Sequence, residues 1–296
     1  MDDAGHFPVL TQFVVEILAP VAKGSMIDCT VGLGGHAEAL LEATGAALLV
    51  GIDLDESNLL KTKERLARFG SRVRLFEANF ADIGEVMAQA DLQQADVVLA
   101  DLGVSSTQLD QGERGFSFQV DGPLDMRMRR EGPSAADLVN HMDEKRLADI
   151  IFQFGEERCS RRIARAIVER RKAGRIERTG ELADLVRSAI PGGGAREAIH
   201  PATRTFQALR IAVNRELESL QRLLDVLPRL LSVGGRAAII SFHSLEDRLV
   251  KQAFAAASQA GTCRLVTRKP LVATPEEVRR NPRSRSAKLR VMERIG

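Results

Sequence analysis

The sequence predicts an α/β fold whose mainly parallel sheet is interrupted, after its fourth strand, by a helical insertion. Three observations predict it. Continuous apolar runs of the buried parallel-strand kind, Ala46–Ile52 and Ala95–Ala100, alternate with helical stretches through the N-terminal third. That rhythm stops between Gly103 and about Thr203, where no buried-strand run occurs. It resumes after His200-Pro201 and ends in a closing pair of strands.

The elements follow in order. Phe13, Val14, Ile17 and Leu18 mark a short leading helix closed by Pro20, and the weak apolar start flanked by Asp2, Asp3 and Glu16 does not read as a signal peptide. Ser25-Met26-Ile27 then runs into Asp28 and a glycine-rich turn, Cys29–Gly35, after which Ala37, Leu40 and Leu41 recur at helical spacing. A strand end, a tight loop and a helix start give this pattern, and glycine there permits positive φ and close approach of a ligand to the backbone. The run Ala46–Ile52 ends in Asp53-Leu54-Asp55, followed by a helix from Glu56 to about Phe69, a strand at Val73–Phe76 and a turn at Asn79-Phe80. A helical stretch near Ile83–Ala88 leads to the strand Ala95–Ala100, which ends in Asp101.

A Gly-, Ser-, Asp- and Arg-rich loop spans Gln108–Arg130. Helices follow at Arg162–Lys172, stopped by Gly174, and around Leu182, Leu185, Val186 and Ile190, stopped by Pro191-Gly192-Gly193-Gly194. One long helix is expected from Phe206 through Leu227 to Pro228, then a turn at Gly234-Gly235 and a strand at Arg236–Phe242. A helix begins near Leu245, and strands Cys263–Thr267 and Lys288–Met292 close the chain with a basic loop between them. The expected division is a discontinuous domain of residues 1–108 and 204–296, with residues 109–203 inserted.

Composition narrows the class. With 44% hydrophobic and 28% charged residues the chain is globular, and no apolar run approaches a membrane span. Trp and Tyr are absent, so aromatic stacking falls to the twelve Phe. Cys29, Cys159 and Cys263 form neither a CxxC pair nor an even framework, which points to reduced thiols in a cytoplasm. Charge is unevenly spread: residues 1–100 carry 15 acids and 7 bases, a net −8, while the whole chain is +2, leaving +10 for the remainder. The excess sits in Arg158–Arg178 and beyond Arg264, including Arg279, Arg280, Arg283 and Arg285, which favours a polyanionic partner such as nucleic acid.

The candidate site gathers at strand ends. Asp53 lies 21 positions after Gly32, where an acid accepts hydrogen bonds from ribose hydroxyls. That pairing serves NAD and S-adenosylmethionine alike, but Ala37 stands where the third dinucleotide glycine belongs, which disfavours NAD. Asp28, Asp53 and Asp101 all fall on the carboxyl edge of the sheet, a set suited to ribose hydroxyls and a cationic amino-acid part. Ser241–Asp247 lacks a nucleophile elbow and reads as a helix cap at Ser244, and the scattered His and Cys offer no metal spacing, so no metal is expected.

Longer motifs carry a resemblance. Asp28-x-Thr-x-Gly-x-Gly-Gly-His36, Asp101-Leu-Gly-Val-Ser-Ser-x-Gln-Leu-Asp110, Arg114-Gly-Phe-Ser-Phe118, Gly122-Pro-Leu-Asp-Met-Arg-Met128, Gly155-Glu-Glu-Arg158, His200–Ile211, Ser241–Arg248 and Asn281–Ser286 occur in that order. Over essentially the whole chain they resemble the bacterial ribosomal RNA small subunit methyltransferase H family, also called MraW. The resemblance implies a class I Rossmann-like methyltransferase domain interrupted by a mainly helical substrate-recognition insert. It further implies S-adenosylmethionine-dependent N4-methylation of a cytidine in the decoding centre of 16S rRNA. Carried over by position, Gly34, Gly35 and His36 contact the cofactor, Asp53 its ribose, Phe80 its adenine, Asp101 its methionine end, and Gln108 makes a further contact.

Many amino-methyltransferases place an Asn/Asp-Pro-Pro-aromatic run after the fourth strand, where this chain has Asp101-Leu-Gly-Val. Asp101 is therefore also the expected acceptor for the protons of the cytosine amine. RNA contact is expected on the insert and the basic C-terminal loop, with Phe116 or Phe118 as stacking partners for a splayed-out base. A methyltransferase of proteins or small molecules would leave the charge asymmetry unexplained, and a noncatalytic RNA-binding protein would leave the strand-end acids unexplained. Monomer and homodimer are both compatible with the sequence.

Overall fold

The computed structural model describes residues 8–45, 48–105, 112–129, 131–194 and 200–296. They group into two compact units, one holding the described residues of Met1–Gly103 and Leu217–Gly296, the other those of Val104–Glu216. Among the described residues no helix is long and apolar enough to cross a membrane.

The first unit is built on one sheet. Its strands are β1 (Ser25–Asp28), β2 (Leu48–Asp53), β3 (Val73–Glu77), β4 (Ala95–Asp101), β5 (Leu231–Ser241), β6 (Cys263–Leu265), β7 (Leu271–Val272) and β8 (Lys288–Arg294). They lie in the order β3-β2-β1-β4-β5-β8-β6, with β7 also paired to β8. From β3 to β5 the pairing is parallel, and β8 runs antiparallel to β5, β6 and β7. The mainly parallel Rossmann-like sheet expected from the sequence is present, with the antiparallel ending the sequence also predicts.

Continuous apolar strands arise because both faces are covered. Ile27, Val50, Ile52, Val98, Ala100, Ala237 and Ile239 turn to one side, where Leu220, Leu223, Leu224 and Leu227 of the helix Glu216–Leu230 and Val250 and Phe254 of the helix Ser244–Gln259 pack on them. Their neighbours Met26, Leu49, Val97, Leu99, Ala238 and Ile240 turn to the other side, against Val14 and Leu18 of the helix Thr11–Leu18 and Leu40 and Leu41 of the helix Gly35–Ala43. Successive side chains of a strand point to opposite faces, so the central positions of these strands are covered on both sides.

Five helices of the second unit, Ala135–His141, Glu144–Gly155, Ser160–Arg170, Thr179–Ala189 and Ala202–Asn214, share one apolar core. Ser134 and Asp137 form a capping box, and Asp143 caps the next helix by accepting from the Arg146 N–H at 2.9 Å. Gly155 lets two helices close up, since a Cβ there would sit 2.5 Å from the Arg204 carbonyl oxygen.

Three local expectations are corrected. The long helix expected from Phe206 to Leu227 is two helices, broken at Arg215, which adopts a left-handed φ of 52°. Phe206 and Leu209 bury in the core of the second unit and Leu220–Leu227 in that of the first, so the two halves serve different cores. Gly234-Gly235 lies inside β5 rather than before it, at a register irregularity opposite Ala95 and Val97, with Gly234 at φ 81°. The basic segment before the last strand also carries structure: β7, and the helix Pro275–Arg280 capped by Thr274.

Candidate functional site

In a doubly wound sheet, ligands bind beyond the strand carboxyl ends where the strand order reverses. Here that point lies between β1 and β4, and Asp28 and Asp101 end those two strands. The glycine turn is suspended between the neighbouring strands. Cys29 N–H donates to the Leu99 carbonyl at 2.8 Å, Val31 N–H to the Ile52 carbonyl at 2.8 Å, and Asp101 N–H to Thr30 Oγ1 at 2.7 Å. From the helix Glu56–Arg65, the fully buried Thr62 donates its hydroxyl to the Gly32 carbonyl at 2.6 Å. Gly34, at φ 78°, is the N-cap of the helix Gly35–Ala43, and a Cβ on it would press to 3.0 Å from Thr62 Cγ2.

Asp53 faces this turn. Its Oδ2 accepts from Gly32 N–H at 2.9 Å and its Oδ1 from Asp55 N–H at 2.8 Å, leaving lone pairs on both oxygens. Burial pushes the carboxyl up to about 6, against those backbone donors and the Asn58 amide. Asp28 is buried more deeply, and its Oδ1 accepts from Thr30 N–H at 3.1 Å. Burial pushes it to about 7, opposed by His36 and by the Thr30 N–H and reinforced by the charges of Asp101 and Asp53.

His36 follows the turn, 6% exposed, with its Nε2 3.4 Å from Asp101 Oδ2. Among the described residues, no hydrogen-bond partner reaches His36 Nδ1, His36 Nε2 or Asp101 Oδ1, although all three atoms are buried. Unpartnered buried polar atoms are uncommon and mark places where a further group is due. Three carboxylates, one imidazole and a positive-φ turn thus share one edge, a set able to hold hydroxyls and a cationic group together.

The other residues singled out in the sequence fall as follows. Phe80 is half-buried in the turn after β3, against the first apolar cluster, and the same turn ties to β2 through Ala78 N–H and the Asp53 carbonyl at 3.1 Å. Gln108 lies outside the described residues. The cap of the helix Ser244–Gln259 is His243 rather than Ser244, in a capping box with Glu246. Asp247 is held by Arg290 at 2.7 Å and Lys288 at 3.2 Å; burial raises its carboxyl, and the two cations more than offset that and keep it low. Phe116 is buried in the core of the second unit, whereas Phe118 is half-buried and packs against the rings of His200 at 4.7 Å and Phe206 at 4.8 Å.

Thr30 and Thr62, whose hydroxyls tie the turn to β4 and to the helix Glu56–Arg65, were given no role in the sequence reading. Spacing could have exposed Thr62, because Asn58, Thr62 and Leu66 recur every four residues and so share a helix face, all buried.

Comparison with known proteins identifies the family. The profile described as the MraW methylase family matches residues 3–295. Proteins named ribosomal RNA small subunit methyltransferase H are similar over the full length. That of Geobacter sp. (strain M21) is 49% identical, covering 100% of both chains, and that of Geobacter sulfurreducens is 50% identical, covering 98% of this chain and 99% of its own. Among solved structures, a putative rRNA-methylase from Clostridium thermocellum covers 100% of this chain and 99% of its own at a TM-score of 0.48 and 11% identity, too distant to bear on function.

Proposed function

This chain belongs to the MraW methylase family, and from that membership and the crevice between β1 and β4 we propose that it methylates the N4 amine of a cytidine in the decoding centre of bacterial 16S rRNA. It is an S-adenosylmethionine-dependent rRNA methyltransferase. The observation that carries the reading is the convergence of Asp28, Asp101 and His36 at the switch point, with buried polar atoms there awaiting a partner.

The residues fit the cofactor. Asp53 retains acceptor capacity for ribose hydroxyls, and the Gly34-Gly35 backbone opens a helix N-terminus beside it. Phe80 covers the adenine side, His36 and Asp101 take the amino-acid end, and Gln108 adds a contact. When bound, S-adenosylmethionine supplies a methyl group on a positively charged sulfur. The cytosine amine is a poor nucleophile because its lone pair is delocalised into the ring. Asp101 accepts a hydrogen bond from that amine and takes the proton it releases as the nitrogen gains its methyl. Its unpartnered Oδ1 leaves room for this contact.

The segment 109–203 serves substrate recognition, supported by the exposed arginines Arg158, Arg161, Arg162 and Arg165. Arg279, Arg280, Arg283 and Arg285 are exposed as well and add a second basic surface. A cytoplasmic location, where free thiols stay reduced, matches this work.

Mass spectrometry of nucleosides from 16S rRNA tests the function. Cells lacking the protein are expected to lose one N4-methylated cytidine and regain it on complementation. An unchanged set of methylated nucleosides would overturn the proposal.

A further inference from the structure

The reaction needs the target base held flat while its amine meets Asp101, and Phe116, one of the two aromatics first considered for that, is buried in a core. We infer that Phe242 is the face on which the target pyrimidine stacks. The inference rests on the proposed function, since it presumes a nucleobase acceptor.

Its place follows from the sheet. Asp101 pairs with Ile240 across β4 and β5, and Leu102 N–H donates to the Ile240 carbonyl at 2.9 Å. Phe242 therefore stands two residues beyond the partner of Asp101, at the same end of the sheet, whereas Phe80 lies at the far side of the sheet after β3. Gly103, at φ 106°, lies two residues beyond the end of β4. A Cβ on Gly103 would meet Phe242 Cδ2 at 3.7 Å, an ordinary contact distance, so the ring lies beside the chain that leaves β4 just after Asp101.

The backbone that carries the ring is also fixed in advance. Phe242 N–H donates to Glu246 Oε2 at 2.9 Å, Glu246 is 2% exposed, and His243 closes the capping box around it. The side chain is half-buried against the apolar cluster on the Thr11–Leu18 face and leaves part of its surface accessible. Base–aromatic stacking is sequence-tolerant and strong enough to set affinity, while the hydrogen bond to Asp101 selects the amine.

The test compares Phe242→Leu and Phe242→Trp in the full-length enzyme. It measures methyl transfer to 16S rRNA in small-subunit particles and, separately, calorimetric binding of S-adenosylhomocysteine. Phe242→Leu, which keeps apolar volume but removes the ring, should lower kcat/KM by roughly tenfold or more, mostly through KM. Its binding of S-adenosylhomocysteine should stay within about twofold of wild type, and Phe242→Trp should recover most of the loss. A Phe242→Leu enzyme with wild-type kcat/KM overturns the inference, as does a Phe242→Trp enzyme no better than Phe242→Leu. If both variants lose S-adenosylhomocysteine, the ring is a packing residue and the inference again fails. A wild-type enzyme that leaves rRNA unmethylated overturns the proposed function itself, so the two failures are distinguishable.

Discussion

His36 Nε2 lies 3.4 Å from Asp101 Oδ2, in a buried setting where neither imidazole nitrogen has a hydrogen-bond partner among the described residues. The pair is held by the fold rather than by a bond of its own: His36 by the helix that follows the glycine turn, Asp101 by Thr30 and the end of β4. Such a pair is ready for a third group. His36→Ala should weaken S-adenosylhomocysteine binding by roughly tenfold, the scale of one hydrogen bond involving a charged group. Calorimetry on wild type and variant checks this, and equal affinities would remove His36 from the cofactor site.

The buried acids make the free enzyme sensitive to pH. Asp28 and Asp53 titrate near 7 and near 6 when folded, above the ordinary value near 3.8, so the folded state holds these protons more tightly than the unfolded chain does. The stability they allow is complete below about pH 4 and is lost as pH rises through 6 and then 7. Asp28→Asn, which stays neutral, should therefore stabilise the cofactor-free protein at pH 8 by on the order of 3 kcal/mol and by little at pH 4.5. Thermal melts at the two pH values decide it, and a pH-independent difference would contradict the assignment.

Thr62 anchors the glycine turn from a neighbouring helix. Thr62→Val keeps the shape but leaves the Gly32 carbonyl without its 2.6 Å donor, which should cost about 1–2 kcal/mol in chemical denaturation. Cofactor affinity should fall with it, because the same turn carries Gly34 and Gly35. Unchanged stability would mean that β1 and β2 hold the turn unaided.

The parallel sheet and the three strand-end acids were legible because their signals are local: continuous apolar runs for strands covered on both faces, and an acid where each run stops. Asp28, Asp53 and Asp101 stand at the ends of β1, β2 and β4 as that reading expects. Arg215 was not legible, since Leu209, Val213, Leu217 and Leu220 keep a helical spacing straight across the break. Only tertiary packing sends Leu209 and Leu220 to different cores. The burial of Phe116 was not legible for a related reason, as a loop aromatic looks the same in sequence whether it faces water or a helix core.

The exposed C-terminal arginines make an electrostatic prediction. Neutralising Arg279, Arg280, Arg283 and Arg285 together should weaken RNA binding and reduce its dependence on salt by up to about one unit of log–log slope per lost phosphate contact. Filter binding across a salt series measures both quantities. A change confined to thermal stability would make the run structural.

Proton acceptance by Asp101 is open to test with a single variant. Asparagine keeps the size of the side chain and can hydrogen-bond, but it cannot take a proton. With Asp101→Asn, single-turnover methyl transfer to 16S rRNA should fall by about 100-fold or more, the range of a lost general base, while the protein stays folded. Unchanged turnover together with unchanged cofactor affinity would contradict the account.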